Sequence, residues 1–299
     1  MKELFRIDSL ITNNTAISKC RLQPSGNYVA IAEHDAITIY DSSGQQVQKV
    51  RVESDVLDLQ WSENGTLLGV MYEGIPVVTL LDVPNDSPNS VNTGYRDASL
   101  LLWSKNVDHK FAVATKKGNL VLVDVAAGQN KVEAILGKHQ REIVCGLWTD
   151  NDLIVLGSLD MTISISDSHG VTIRQVNLDF RPKQLHYLVS VEEAMDISVL
   201  HEKGASILTM NNAMDPKVPV HMSMKGSVIF QFLHRQGNFF VIGYDHGKII
   251  SRPIEEVDND KCSVIHELHS IAHYAVCSKG TNLVVAGKHV VYKYIPCTQ

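Results

Sequence analysis

Four short apolar runs in this chain end in aspartate at nearly equal intervals. ITIYD closes at Asp41, VTLLD at Asp82, LVLVD at Asp124 and SISISD at Asp167, spaced by 41, 42 and 43 residues. Three further runs end in tryptophan, DLQW at Trp61, LLLW at Trp103 and CGLW at Trp148, spaced by 42 and 45. Two independent markers on one period define an internal repeat, and a repeat of roughly 40 to 45 residues restricts the chain to a few repeat architectures.

Each unit has the same internal order. An apolar strand ends near Trp, a polar turn follows (SENG, SKNVDH, TDND), and a second strand is rich in Val, Leu, Ala and Gly (TLLGVMY, FAVAT, LIVLGS). A third strand alternates apolar residues up to its Asp, and a weaker fourth closes the unit (VQKVRV, VTIRQV). Period-two alternation, β-branched residues and Gly/Asn/Asp punctuation are strand and turn signals, and no segment has a helical period. The same template covers the rest of the chain, with inner strands beginning near residues 17, 56, 98, 143, 184, 227 and 271.

Four-stranded units on this period predict an all-β, seven-bladed β-propeller occupying residues 1–299 as one domain. The count leaves unit seven one strand short. Residues 2–7 (KELFRI) have strand character and precede the first inner strand, so they are expected to complete the seventh blade from the N-terminus.

Composition excludes several classes of function. At 44% hydrophobic and 20% charged the chain can bury a full core, and its net charge of -6 disfavours a nucleic-acid partner. No apolar run reaches signal-peptide or membrane-spanning length, so a cytoplasmic location is expected. The five cysteines, Cys20, Cys145, Cys262, Cys277 and Cys297, form no CxxC pair, which points to a reducing compartment without a disulfide framework or zinc ribbon.

One segment, residues 137–167, concentrates the residue types of a reactive site. His139 and Asp160 together are the minimal pair for activating a nucleophile, but the motif places no serine or cysteine to be activated, and Cys145 lies mid-strand as a small core residue. The alternative is architectural, a buried hydrogen bond between two loops. Asp41, Asp82, Asp124 and Asp167 are read as turn-formers that accept backbone N–H bonds, on separate blades and too far apart for one metal site. His266-Glu267-Leu268-His269 has the wrong spacing for a helical zinc motif. No catalytic, metal or cofactor site and no small-molecule substrate is expected.

Charge is distributed unevenly. From Arg96 to Arg141 there are eight Lys or Arg against four Asp or Glu, whereas residues 251–269 hold two against five. Lys116 and Lys117 lie in a turn between second and third strands, and Lys138 and Arg141 lie in the loop entering the next inner strand. In a propeller those loops open on one face, so the four cations are candidates for a patch that meets an acidic partner surface or anionic headgroups.

Gly137-Lys138-His139, Trp148, Gly157-Ser158-Leu159-Asp160 and Ser166-Asp167 follow the order of a WD repeat. In that family the histidine hydrogen-bonds toward the aspartate of the turn, and a tryptophan often stands where this chain has Ser166. The runs SGNYVAIAEHDAITIYD, YRDASLLLWSK, AVATKKGNLVLVD, ILGKHQREIVCGLW and SDSHGVTIRQ resemble the amino-terminal WD-repeat propellers of intraflagellar transport complex A subunits. The resemblance implies a non-enzymatic scaffold in retrograde ciliary transport, cilium assembly and ciliary membrane-protein trafficking. Its implied partners are other complex A subunits and cargo adaptors, with an anionic membrane surface as a further one. The implied locations are the ciliary base and axoneme. The alternative within the same fold is a vesicle-coat-like adaptor that recognises sorting signals or ubiquitin.

Overall fold

The computed structural model describes the chain except for residues 1–4, 13–14, 84, 86–87, 127–129, 190–194, 203, 211–219, 224–227, 235–238, 254–262, 268–270, 272, 277–282, 288 and 297–299. Its strands form seven four-stranded sheets among the described residues. Strand β1 (Phe5–Thr12) comes first and joins the last of these sheets. The first sheet is β2 (Lys19–Leu22), β3 (Tyr28–Ala32), β4 (Ala36–Asp41) and β5 (Gln46–Arg51). The second is β6 (Val56–Trp61), β7 (Leu67–Tyr72), β8 (Val77–Asp82) and β9 (Pro88–Asn92). The third is β10 (Ala98–Trp103), β11 (Lys110–Thr115), β12 (Leu120–Asp124) and β13 (Lys131–Ile135), and the fourth is β14 (Ile143–Trp148), β15 (Ile154–Ser158), β16 (Thr162–Ser166) and β17 (Thr172–Asn177).

The fifth sheet is β18 (Pro182–Val189), β19 (Met195–His201), β20 (Gly204–Met210) and β21 (Val220–Ser223), and the sixth is β22 (Val228–His234), β23 (Phe239–Tyr244), β24 (Lys248–Pro253) and β25 (Ser263–Glu267). Strands β26 (His273–Val276), β27 (Leu283–Ala286) and β28 (Val290–Pro296) form the last sheet in the order β1-β28-β27-β26. The N-terminal strand expected over residues 2–7 is therefore found over Phe5–Thr12, while residues 2–4 lie outside the described part of the chain. No described helix is long and apolar enough to cross a membrane.

Burial explains why the strands of one unit differ in composition. The second strand of a sheet is covered on both faces, so β3, β7, β11 and β15 are almost continuously buried and read as Val/Leu/Ala/Gly runs rather than as alternation. The outer strands β5, β13 and β17 face water and carry Gln, Lys, Glu and Arg. Most inner strands also carry an irregularity that the sequence does not announce. Register shifts occur one residue into β10, β14, β18 and β22, at 98/100, 143/145, 182/184 and 228/230. A bulge at this point bends and twists the strand as it leaves the preceding loop.

The chain forms two compact units, one of Met1–Leu68, Leu81–Ser87 and Gly226–Gln299, the other of Gly69–Leu80 and Pro88–Lys225. In the first, inner strands β26, β2 and β6 lie side by side, and Ile11, Ile17, Cys20, Leu22, Ile31, Val284 and Val291 fill the core between the sheets. In the second, β10, β14 and β18 are neighbours in the same way. Leu102, Leu120, Ile143 and Ile154 belong to the core of the third and fourth sheets; Val155, Ile165, Leu185 and Ile197 belong to that of the fourth and fifth.

Candidate functional site

The imidazole of His139 is fully enclosed. Its Nδ1 lies 3.3 Å from Asp160 Oδ2 and 2.9 Å from Thr162 Oγ1, and its Nε2 lies 2.8 Å from Ser164 Oγ. Asp160 fixes the turn before β16 at the same time. Its Oδ2 accepts the N–H of Gln140 at 2.9 Å, and its Oδ1 accepts the N–H and hydroxyl of Thr162 at 3.0 and 2.6 Å. With Nδ1–H directed at the carboxylate, Nε2 is left to accept the Ser164 hydroxyl.

Electrostatics favour a neutral imidazole. Burial lowers the His139 pKa and outweighs the opposing pull of Asp160. For Asp160 burial acts upward, but the Thr162 hydroxyl, the Gln140 N–H and His139 more than offset it and hold the carboxyl below its ordinary value.

Ser164 was not singled out in the sequence, yet it supplies the hydroxyl that the pair appeared to lack. Ser164, His139 and Asp160 stand in the order of a nucleophile, a base and an orienting carboxylate. Access decides against that chemistry, because Ser164 is 1% exposed and the His139 side chain is closed off, leaving no room for a substrate carbonyl. What the three groups do is bind the loop at residues 137–142 to strand β16. Cys145 is equally inert, since burial pushes its thiol up to about 12.

The four repeat-marking aspartates do not behave alike. Asp41 Oδ1 accepts the N–H groups of Ser43 and Gln45, both at 2.9 Å, and Asp167 Oδ1 repeats the arrangement with His169 and Val171 at 3.0 and 2.8 Å. The Ser43 hydroxyl and the Gln45 N–H hold the Asp41 carboxyl below its usual value. Asp124 accepts one such bond, from Ala126, and lies 3.6 Å from His109. Asp82 instead accepts the side-chain amide of Asn85 at 3.4 Å. Among the described residues no three His, Cys, Asp or Glu side chains gather as metal ligands. His266 lies on β25, and His269 lies outside the described residues.

Lys138 has to be removed from the expected cationic patch. Its Nζ donates to the Gly170 carbonyl at 2.8 Å and to Thr172 Oγ1 at 2.6 Å, and the residue is 9% exposed. Burial, opposed by Asp167, brings its pKa down to about 8. The carbonyl in the turn after β16 gives the ammonium an internal acceptor, so it points inward. Lys116, Lys117 and Arg141 remain exposed.

Backbone bonds hold those three together. His139 N–H donates to Gly118 O at 2.9 Å, Lys116 N–H to Asp97 O at 2.7 Å and Leu159 N–H to Glu142 O at 2.9 Å, while the Ser158 hydroxyl donates to Arg141 O. The turn 115–119, the loop 137–142 and the turn 158–162 are therefore one hydrogen-bonded platform.

Comparison with known proteins places this geometry. A family model described as "WDR19 first beta-propeller" matches residues 19–294. WD repeat-containing protein 19 of Homo sapiens is 29% identical over 84% of this chain and 19% of its own length. WD repeat-containing protein dyf-2 of Caenorhabditis elegans is 23% identical over 91% of this chain and 20% of its own. The chain thus spans about a fifth of the length of the curated relatives it matches. A chain in a crystal structure of the mitotic checkpoint complex superposes with a TM-score of 0.76 at 14% identity, over 99% of this chain and 94% of that one, a likeness of fold alone. The repeated sheets, the His139–Asp160 unit and the family match across residues 19–294 agree: the chain is an all-β WD-repeat β-propeller and belongs to the WDR19 first beta-propeller family.

Proposed function

We propose that the chain is a non-enzymatic protein-binding scaffold, a seven-bladed propeller whose last blade is completed by β1, that works as part of an intraflagellar transport complex A subunit. The family match over residues 19–294 carries this reading. In this role it acts in retrograde ciliary transport, cilium assembly and the trafficking of ciliary membrane proteins, between the cytoplasm, the ciliary base and the axoneme. Its partners are other complex A subunits and cargo adaptors, and an exposed loop surface that includes Lys116, Lys117 and Arg141 meets one of them. His139, Asp160, Asp41, Asp82, Asp124 and Asp167 serve the frame.

The sealed Ser164–His139–Asp160 unit supports a scaffold over a hydrolase, because its hydroxyl meets only protein. The test is affinity capture from ciliated cells with this chain as bait, followed by mass spectrometry. Enrichment of other complex A subunits over an unrelated WD-repeat bait is the expected result. Vesicle-coat proteins in their place, or no enrichment, would overturn the assignment.

A further inference from the structure

We propose that the surface joining turn 115–119, loop 136–142 and the start of β17 docks a short linear segment of a partner protein that carries acidic residues beside aliphatic ones. The inference rests on the scaffold reading and specifies a place and a chemistry for one partner.

Among the described residues the three most exposed large hydrophobic side chains are Leu136, Val171 and Ile173, at 69, 62 and 48%. They come from two outer regions that the structure ties together. Lys138, two residues beyond Leu136, bonds Gly170 O and Thr172 Oγ1 on either side of Val171. A Cβ on Gly170 would lie 2.0 Å from Ile135 Cδ1, so the turn before β17 packs directly on the residue preceding Leu136. Ile173 is the extra residue of a bulge, since Thr172 pairs with Ser166 and Arg174 with Ile165. A bulge blunts an edge against pairing with another strand and re-aims its side chain, so this edge offers side chains rather than a backbone ladder.

The apolar strip is continuous with the cations. Gly137 N–H donates to Asn119 Oδ1 at 3.0 Å, which sets Leu136 beside the turn that carries Lys116 and Lys117. His139 then returns to Gly118 O, and Arg141 follows two residues later. Single exposed aliphatic residues are ordinary, but three on adjoining segments beside Lys117 and Arg141, with Lys116 lying 3.9 Å from Glu73, make a surface with an apolar and a cationic half in a chain of net charge -6.

Size and charge select the occupant. Three aliphatic side chains fall well short of the roughly 800 Å² per partner of a standard interface, which excludes a second folded copy and suits a linear segment with a few anchors. The cations complement carboxylates on that segment. A bilayer is also anionic and apolar, but a surface lysine or arginine contributes only about 1 kcal/mol there and stable recognition uses roughly four to eight of them. None of the exposed large hydrophobics among the described residues is aromatic, the type that seats proteins in the membrane interface.

The test is selection of a displayed random library of peptides of about twelve residues on the chain, followed by fluorescence polarisation with the selected peptides. These are expected to combine Asp or Glu with Leu or Ile. Lys117→Glu with Arg141→Glu, and separately Leu136→Ser with Ile173→Ser, should each weaken binding roughly tenfold at an unchanged melting temperature. A peptide whose acids are changed to Lys should bind the charge-reversed chain better than the original, an outcome that a misfolded variant does not give. Failure to select any peptide, or peptides indifferent to both variants, overturns the proposal. So does binding to phosphatidylserine vesicles that both variants abolish while no peptide is selected. Complex A subunits captured equally by wild type and both variants would remove this site and leave the scaffold reading intact, whereas capture by none would remove the scaffold reading itself.

Discussion

The hydroxyl of Ser166 is buried at the end of β16 and has no hydrogen-bond partner among the described residues. A buried hydroxyl in that condition costs on the order of 1 to 3 kcal/mol, because its bonds to water are lost without replacement. Ser166→Ala should therefore stabilise the fold by about 1 kcal/mol and raise the melting temperature by roughly 2 to 4 °C. Scanning calorimetry decides it, and a lower melting temperature would mean that the hydroxyl is satisfied after all. Ser164, two residues earlier on β16, shows the opposite condition, its hydroxyl bonded to a His139 whose two ring nitrogens both have partners. The pairing of His139 with Asp160 was legible in the sequence through the resemblance of residues 137–167 to a WD repeat, which implies that bond. Ser164 was not, since a serine alternating with isoleucine reads as a water-facing residue of an outer surface, whereas here that face is buried against a neighbouring loop. Lys138 misled for a similar reason. A lysine in a polar loop reads as solvated, and only the position of the Gly170 carbonyl, thirty-two residues later in sequence, turns it inward.

At the scale of elements the loops between the third and fourth sheets depend on one close approach. Gly118 has φ +80, and a Cβ there would lie 2.1 Å from His139 O and 2.8 Å from Arg141 O, the backbone that its own carbonyl helps to hold. Gly74 has a similar φ of +69 but meets nothing within 4 Å. Gly74→Ala should cost about 1 to 2 kcal/mol, the ordinary penalty for a left-handed L-residue. Gly118→Ala adds a backbone collision and should cost about 3 to 5 kcal/mol. Denaturant melts of the pair separate the two effects, and equal losses would show that the loops yield easily. The strands themselves were legible because burial on two faces, one face or neither leaves different residue patterns. The bulges at 98/100, 143/145, 182/184 and 228/230 left no such mark, since an extra residue such as Ser99 or Val144 carries no Gly or Pro to flag it.

At the scale of the molecule, the two ends of the chain meet in one sheet. β1 pairs with β28 from Phe5↔Pro296 to Thr12↔Val290, with a register shift between Ile7 and Ser9. Counting strands exposed the need for this partner, but the shift interrupts the alternation at Asp8, so residues beyond Ile7 read as a connector rather than as more strand. Ile11 is 6% exposed and belongs to the core with Ile17, Cys20, Val284 and Val291, which makes β1 part of the packing as well as the cover for the edge of β28. Losing a buried isoleucine costs about 2 to 5 kcal/mol before any ladder bond is counted. A chain lacking residues 1–14 should therefore melt at least roughly 10 °C below the full chain. Because the missing piece is one contiguous strand, a synthetic peptide of residues 1–14 should restore the loss by mass action, giving back about 2.7 kcal/mol at a hundredfold excess over its Kd. A scrambled peptide of the same composition should give back nothing. If the truncated chain melts with the full one, or the scrambled peptide restores it equally well, the closure is made elsewhere and β1 is only laid against a sheet that holds without it.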